Sequence, residues 1–338
     1  MDLDTGSDVV LASAVSIARN ISGFKFITAY TAEEKSEIQK KLITTADRLG
    51  LMHKAVSAMD HAEKTWLIEE ALVSKGFVLD SGNYIIQDTK HKVYVVVCDD
   101  NHITIRTKAA LLDIQSIYEN CCELADSISD CLKYAYNDDF GFLTTNIDEL
   151  GTGISFSFLV HVPAMSFSGE LSAIFRQILE TGCEITSKSM SAFGPNGAFF
   201  TVKLPVIPRE NEQLYIDKIE PAMRALVVRE RAIRKTLCDY QNTAVLDRIG
   251  RSYGISRYAF DLSYEEFLSV VSDLRLGILL GILEAPAVHM LDKYALHDPI
   301  HDTGLNNAAY EETEAQYRAS LMKKIAECIT FNERHKRV

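Results

Sequence analysis

The chain is poor in the features that mark membrane, secreted and nucleic-acid-binding proteins. It has one tryptophan and no run of eighteen consecutive apolar residues, so the sequence predicts no membrane-spanning helix. The first four residues carry no basic stretch and no small-residue cleavage site, which predicts a cytoplasmic location without a secretory signal. Positive charge is also scarce, because 35 Lys and Arg against 47 Asp and Glu leave a net charge of -12. We expect no nucleic-acid partner, since phosphate binding needs clustered Lys and Arg.

Cysteine and histidine are present, but not in the patterns of a disulfide frame or a metal centre. The seven cysteines are an odd number and include no CxxC pair, so we expect reduced thiols. His297 and His301 are four residues apart, but Pro299 predicts a loop there and no third ligand can be identified. We therefore expect no metal site. Residues 194–197 lack the Lys and Ser or Thr of a P-loop and predict a turn.

Caps, alternation and turn residues predict the secondary structure. Thr31 and Glu34 form a capping pair that predicts the start of a helix, and Gly50 can end that helix. Five segments rich in β-branched residues are predicted strands: 84–87, 93–98, 103–106, 154–161 and 199–204. Beyond Pro205 the pattern is helical to the end of the chain.

This order of elements predicts an α+β fold, in which an antiparallel sheet flanked by helices is followed by an all-helical C-terminal domain. With 338 residues, of which 47% are hydrophobic, the chain can bury one large core and a smaller one. We assign residues 1–240 to the first domain and residues 241–338 to the helical domain.

The clearest helix signal lies in this second domain. Ser263 and Glu266 form an S-x-x-E capping box, and an apolar stripe follows at helical spacing. The stripe consists of Phe267, Val270, Val271, Leu274, Ile278 and Ile282. Further apolar residues leave the helix hydrophobic on more than one side. Two interpretations fit: the helix is buried inside its own domain, or its second side covers another copy of the chain.

The same region resembles a known family. Residues 251–283 resemble the C-terminal helical domain of the bacterial protein arginine kinases, which belong to the phosphagen, or ATP:guanido, kinase superfamily. Other segments resemble family motifs in the family's order: residues 13–20 (SSRVRLARN), 67–74 (LxExHLIS), 98–105 (NEEDHLRI), 140–153 (GYLTxCPTNxGTG) and 161–164 (HLPAL). The resemblance covers almost the whole chain and implies the guanido kinase fold for its first domain.

The arginines that surround the transferred phosphate in this family are missing from the matching positions. Phosphoryl transfer depends on positioned cations, because the protein has little covalent work to do. The positions that the resemblance assigns to arginine hold Ala14, Ser16, Thr104, Ser155 and Thr186. Ser191 stands for a catalytic glutamate and Asn146 for the substrate cysteine. The resemblance therefore implies a chain that has lost catalysis.

Four residues match family site positions in part. Asp100 stands where the family has a catalytic glutamate, although it also fits a polar hairpin turn. Arg19 and His102 correspond to the nucleotide-site motifs. Arg318 corresponds to the second arginine of an RDxxRA motif that reads phosphoarginine in the family, and the first Arg-Asp pair of that motif is absent here.

The resemblance implies a dimeric, catalytically inactive regulatory or binding component of protein quality control and stress control, with no cofactor. It implies as partners a small zinc-binding kinase activator and a Clp-type unfoldase. One alternative is an active kinase that phosphorylates protein arginine with ATP and Mg²⁺ through a rearranged clamp. Its candidate cations are Arg106, Lys108, Lys188 and Lys203. Another alternative is a nucleotide or guanidino-ligand sensor without turnover.

Overall fold

The computed structural model describes residues 6–70, 72–109, 112–188, 190–191, 194–195, 197–205, 212–239, 243–296 and 313–332. The strands are β1 (Val10–Arg19), β2 (Met52–Ala55), β3 (Tyr84–Asp88), β4 (Val93–Val97), β5 (Ile103–Ala109), β6 (Tyr136–Asn137), β7 (Gly141–Phe142), β8 (Ile154–His161), β9 (Glu184–Ser187), β10 (Met190–Ser191), β11 (Gly194–Pro195), β12 (Phe199–Leu204), β13 (Leu283–Glu284) and β14 (Thr330–Phe331). The predicted His297 and His301 pair lies outside the described residues.

The helices are α1 (Ala32–Leu49), α2 (His61–Glu69), α3 (Lys75–Leu79), α4 (Ile114–Ser129), α5 (Pro163–Ser168), α6 (Leu171–Leu179), α7 (Glu212–Asp239), α8 (Thr243–Tyr258), α9 (Tyr264–Leu279), α10 (Asp292–Leu296) and α11 (Glu314–Glu327). Among the residues that the structure describes, no helix is both long enough and apolar enough to cross a bilayer.

One sheet of eight strands has the order β2-β3-β4-β5-β1-β8-β12-β9. Neighbours β2 and β3, β3 and β4, β4 and β5, and β5 and β1 all pair antiparallel. The five predicted strands are present, and the predicted α+β fold class is confirmed. In this sheet, β1, β2 and β9 are strands that the sequence pattern did not predict.

The chain divides into two compact units, each built from non-contiguous segments. The first comprises Met1–Phe158, Ile178–Glu184 and Val202–Ala222, and the second comprises Leu159–Gln177, Ile185–Thr201 and Met223–Val338. The assignment of two domains that meet at residue 240 stays a prediction.

In the first unit, α4 packs on β1 and β5 and buries one side of those strands. The predicted capping pair of α1 is present, because Thr31 accepts a hydrogen bond from the Glu34 amide and Glu34 accepts one from the Thr31 amide. Gly50 ends α1 in the left-handed conformation at φ 68°. That conformation favours glycine, so the predicted C-terminus of the helix is confirmed.

In the second unit, α8, α9 and α11 pack on one another. Ser263 caps α9 by accepting a hydrogen bond from the Glu266 amide. The middle of α9 is buried on all sides by neighbouring elements of the same unit. This part of the chain also contains a two-stranded pair, β13 with β14, where the sequence pattern predicted helices and loops alone.

Candidate functional site

Three of the positions where the family has arginine lie side by side on one face of the sheet. In the pairing of β1 with β5, Ala14 lies opposite Lys108, Ser16 opposite Arg106, and Ala18 opposite Thr104. Directly opposed residues of antiparallel strands project from the same face. The structure therefore brings Ala14, Ser16 and Thr104 together, and Arg106 and Lys108 lie among them.

The two basic residues that β5 contributes to this face both contact groups inside the protein. Arg106 Nη1 donates to the Leu72 carbonyl at 2.6 Å, and Arg106 Nη2 lies 3.7 Å from the Asp100 carboxylate. Lys108 Nζ lies 2.7 Å from the Glu70 carboxylate, and both side chains are mostly buried. These contacts hold the two side chains toward the segment that follows α2.

That segment covers part of the same face. Val56, Leu67, Leu72, Val73 and Phe77 form a buried cluster with Ile85 of β3 and Val96 of β4. Val96 pairs with Thr104, and Thr104 is only 3% exposed. A residue at that position of this chain is therefore shielded from solvent.

Asp99 and Asp100 have different surroundings in the turn between β4 and β5. Asp99 accepts hydrogen bonds from the Ser74 amide and hydroxyl at 3.0 and 2.7 Å, which anchors the start of α3. Asp100 is 66% exposed, and its ion-pair contact is the 3.7 Å approach of Arg106. An exposed pair at this distance contributes little to stability. Of the two carboxylates, Asp100 is the one accessible to a ligand.

Arg19 is buried and is the last residue of β1. Its Nη1 donates to the carbonyls of Ala18 and Thr152 at 2.8 and 2.7 Å, and its guanidinium lies 3.6 Å from the ring centroid of Phe142. Burial lowers the pKa of Arg19 to about 10, partly offset by Tyr134. The residue is thus charged at neutral pH and holds the Thr152 segment in place.

Glycine is required where that segment approaches Arg19. Gly153 has φ 65°, and a Cβ atom there would lie 2.6 Å from the Ala18 carbonyl oxygen and 2.8 Å from Arg19 Nη1. Gly141 has φ 76°, and its Cβ would lie 2.5 Å from the Gly151 carbonyl oxygen. The glycines of the 140–153 motif therefore serve close backbone packing in this chain.

His102 and Asn101 form a buried polar cluster with Asn20. His102 Nδ1 accepts from the Ile21 amide at 3.0 Å, and its Nε2 donates to the Lys25 carbonyl at 2.9 Å. Burial lowers the pKa of His102, in accord with a neutral ring that uses both nitrogens. Asn101 Oδ1 accepts from the Asn20 amide group at 2.9 Å.

The same Asn101 oxygen accepts from the Thr145 amide at 2.8 Å, and Asn101 Nδ2 donates to Glu149 at 3.2 Å. Asn101 therefore connects β1, the β4–β5 turn and the 140–153 segment. Sequence reasoning singled out its neighbours Asp100 and His102 and missed Asn101 and Asn20. Their positions could have indicated them, because Asn20 lies in the 13–20 motif and Asn101 in the 98–105 motif.

The remaining positions that replace family residues lie on separate elements. Ser155 is half-buried on β8, Thr186 is exposed on β9, and Asn146 is exposed before a short turn. Thr144 donates to the Asn146 carbonyl at 2.8 Å. Ser191 belongs to β10. Ala14, Ser16 and Thr104 therefore lie together on β1 and β5, whereas Ser155, Thr186, Asn146 and Ser191 lie on other segments of the chain.

The second unit has a buried polar centre that sequence reasoning did not assign. Arg275 Nη1 donates to His161 Nδ1 at 2.8 Å, and His161 Nε2 donates to the Ser272 hydroxyl at 2.9 Å. Arg275 Nε forms a 2.7 Å ion pair with Asp292. Burial lowers the pKa of His161 well below its usual value, and the charge of Arg275 lowers it further. His161 is therefore neutral.

Arg318 lies in α11, at the position that resembles the family's phosphoarginine motif. Its side chain is 7% exposed, and Nη2 lies 3.3 Å from the Glu314 carboxylate. Its Nη1 lies 3.5 Å from the Leu262 carbonyl, and its guanidinium lies 5.7 Å from the Tyr264 ring centroid. In this arrangement Glu314 occupies one side of the guanidinium where an anionic ligand would bind.

Comparison with known proteins identifies the family. Residues 33–232 match the family described as ATP:guanido phosphotransferase, C-terminal catalytic domain, and the chain belongs to this family. Residues 242–331 match the Protein-arginine kinase McsB C-terminal domain. Together with the curated relatives, these matches make it a divergent bacterial protein arginine kinase-like member.

The relatives are similar over most of their length. A protein-arginine kinase of Caldanaerobacter subterraneus is 29% identical over 83% of this chain and 86% of its own. One of Clostridium novyi is 24% identical over 98% of this chain and 94% of its own. A lombricine kinase structure superposes with a TM-score of 0.58 at 14% identity, covering 68% of each chain, which indicates the shared fold.

A duplicated taurocyamine kinase from Schistosoma mansoni, in a structure with bound transition state analog components, also shares the fold. It has a TM-score of 0.58 at 17% identity, and the match covers 79% of this chain and 40% of that one. The family uses ATP. On this face of β5, the two basic residues Arg106 and Lys108 contact Leu72, Asp100 and Glu70.

Proposed function

We propose that this protein is a catalytically inactive protein arginine kinase-like protein, which acts in the cytoplasm as a regulatory or binding component of protein quality control. One observation carries the proposal. Three positions to which the resemblance assigns arginine carry Ala14, Ser16 and a buried Thr104 on one sheet face, and the two cations that β5 adds there, Arg106 and Lys108, are engaged in internal contacts. Of the described residues on β1 and β5, none of these five is placed to receive a phosphate.

The expected loss is large. Removing one preorganised donor to a developing charge costs about 2.7–4 kcal/mol, or roughly a hundred- to thousand-fold in rate. Three to five such losses exceed what most enzymes could absorb even though the individual effects do not add. Asp100 does not compensate, because an exposed carboxylate, even with Arg106 3.7 Å away, can accept a proton but adds no positive charge to neutralise a transferring phosphate.

The test is a phosphorylation assay with labelled ATP, Mg²⁺ and casein, with an active protein-arginine kinase as the positive control. We expect no acid-labile label above background. Labelled phosphoarginine that disappears in an Asp100→Asn variant would establish the alternative of an active kinase with a rearranged clamp. A rise in melting temperature with ATP and Mg²⁺, without label transfer, would favour the sensor.

We also propose that the protein forms a homodimer through residues 242–338 and that its partners include a zinc-binding kinase activator and a Clp-type unfoldase. The apolar stripe of α9 does not require a second copy, because helices of its own unit cover it. The support is now the exposed pair Tyr258 and Phe260, which are 74% and 83% accessible. Aromatic residues are enriched in protein interfaces, and neighbouring exposed apolar side chains are a feature of interaction surfaces.

Light scattering on the full chain tests the dimer. We expect a mass of two chains for the natural sequence and of one chain for a Tyr258→Asp/Phe260→Asp variant. A variant with the matched changes Trp66→Asp/Leu79→Asp, at exposed apolar positions of the first unit, serves as the control and should stay dimeric. A monomeric natural chain, or a dimer that survives the first variant, would refute this surface.

A further inference from the structure

A groove with an excess of positive charge runs along α1 on the first unit. Its volume is about 280 Å³, and the lining side chains that matter here are Glu37, Lys40, Lys41, Thr44, Arg48 and Cys131. Three of them are basic and one is acidic. We refer to this site as the α1 groove.

Helix geometry explains the line of charge. Residues 37, 40, 44 and 48 follow one another at intervals of three and four, as do residues 37, 41, 44 and 48, so all five lie on one side of α1. Lys40 and Arg48 are eight residues apart, which is about 12 Å along the helix axis. Cys131, just after the end of α4, forms the opposite wall.

The two terminal cations of the stripe have no internal partner. Lys40 and Arg48 are exposed, and within the described part of the chain neither side chain makes an ion pair or a hydrogen bond to another residue. Lys41 pairs with Glu37 at 3.5 Å, but both side chains are solvent-exposed and such pairs are weak. Repulsion among these cations is therefore not relieved within the protein.

We propose that the α1 groove binds a small anion that carries two or more linked phosphates. A polyphosphate chain can contact both Lys40 and Arg48 through charge-assisted hydrogen bonds without either side chain bending toward the other, whereas a single phosphate would need both to bend toward it. The volume admits a small molecule and not a folded domain.

Either a free polyphosphate or the phosphate tail of a nucleotide has this chemistry. Calorimetric titration of the full chain at low salt, with tripolyphosphate, ATP and inorganic phosphate in separate runs, separates the sources. We expect tripolyphosphate to bind at least ten-fold more tightly than inorganic phosphate, and the affinity to fall as salt rises. Equal or tighter binding of ATP at this groove would identify a nucleotide as the source.

A double variant tests the location. Lys40→Gln/Arg48→Gln should weaken tripolyphosphate binding at least ten-fold, and the matched control Lys90→Gln/Arg176→Gln, which removes one exposed Lys and one exposed Arg elsewhere, should change it less than two-fold. All four positions are exposed, so both variants should fold, which circular dichroism verifies. No binding by the natural chain, or equal weakening in both variants, would overturn the proposal.

Alkylation of Cys131 gives a second measurement that does not depend on charge removal. Tripolyphosphate in the α1 groove should slow iodoacetamide labelling of the half-buried Cys131 at least three-fold, and the exposed Cys328 of the second unit should react at an unchanged rate. Peptide mass spectrometry resolves the two sites. Protection of both cysteines, or of neither, would show that the anion does not occupy this groove. Neither the titration nor the alkylation measurement depends on kinase activity.

Discussion

Arg19 in the first unit and Arg275 in the second are both buried, but the protein stabilises their charges in different ways. Arg19 is 5% exposed and is surrounded by two carbonyl oxygens and the face of Phe142. Arg275 is completely buried and contacts the Asp292 carboxylate and the ring of His161. One cation is held by dipoles and an aromatic ring, and the other by a full negative charge and a neutral imidazole.

The difference shows what each residue does. Carbonyl dipoles belong to the backbone, so Arg19 fixes the path of the 152–153 segment against β1. Arg275 contacts side chains from two other elements, His161 of β8 and Asp292 of α10, so it fixes how α9 meets them. Arg19, which matches a family motif, therefore anchors the backbone in this chain. Arg275, to which no motif assigns a role, organises the core of the second unit.

The largest expected effect is that of Arg275→Ala. Removing the buried Arg275 leaves Asp292 with His289 as its one remaining partner and should cost about 3–5 kcal/mol of unfolding free energy. Urea unfolding followed by far-ultraviolet circular dichroism measures the loss. Arg251→Ala, at an exposed arginine that pairs with Asp247, is the control and should leave the transition where it is. A loss no larger than the control's would mean that the His161 centre does not hold the unit together.

Arg19→Lys should have a smaller effect, about 1–3 kcal/mol. Lysine keeps the charge but cannot place a flat cation over Phe142 while it donates to two carbonyls. Fluorescence of Trp66, the single tryptophan, which lies in the same unit, reports the transition. The exposed Arg176→Lys should have no effect. If Arg19→Lys matched the natural protein, the anchor role would be wrong and the guanidinium would be replaceable by any cation.

The smallest expected effect is a dependence of stability on pH. It further distinguishes the Arg275–His161 centre of the second unit from the Arg19 site of the first. The folded-state pKa of His161 is depressed, so the unfolded chain binds a proton that the folded chain does not. Stability is therefore fully present above about pH 6.5 and falls as pH drops toward the folded pKa, by up to about 1.4 kcal/mol per pH unit. His102 is depressed in the same direction in the first unit. Unfolding titrations at pH 7.5, 6.5 and 5.5 measure the slope.

Two variants test whether His161 is the group that causes this dependence of stability on pH. His161→Gln should flatten it, whereas Ser272→Ala removes the hydrogen-bond acceptor of His161 but keeps the titrating ring, and should keep the slope. The comparison uses slopes and not absolute stabilities, so a general destabilisation in either variant does not disturb it. An unchanged slope in His161→Gln would attribute the acid sensitivity to other groups, His102 first among them.

Much of the local structure could be predicted because its cause is local. The Thr31 cap, the Gly50 terminus and the Ser263 cap depend on residues three or four positions apart, and all three are confirmed. The strands β3, β4 and β5 were predicted from β-branched content between turns. The strand β1 was missed because it is buried on most of both sides and so lacks the polar alternation of a half-exposed strand.

By itself, the sequence determined the fold class, the main caps and strands, and the family, because these depend on local pattern and on the order of motifs. It also determined which residue types occupy the family's arginine positions. Only the tertiary structure decided what the retained residues do, since their partners are distant: Thr152 lies 133 positions from Arg19, and His161 lies 114 positions from Arg275. Hydrogen bonds of that kind are set by packing, and no local pattern encodes them.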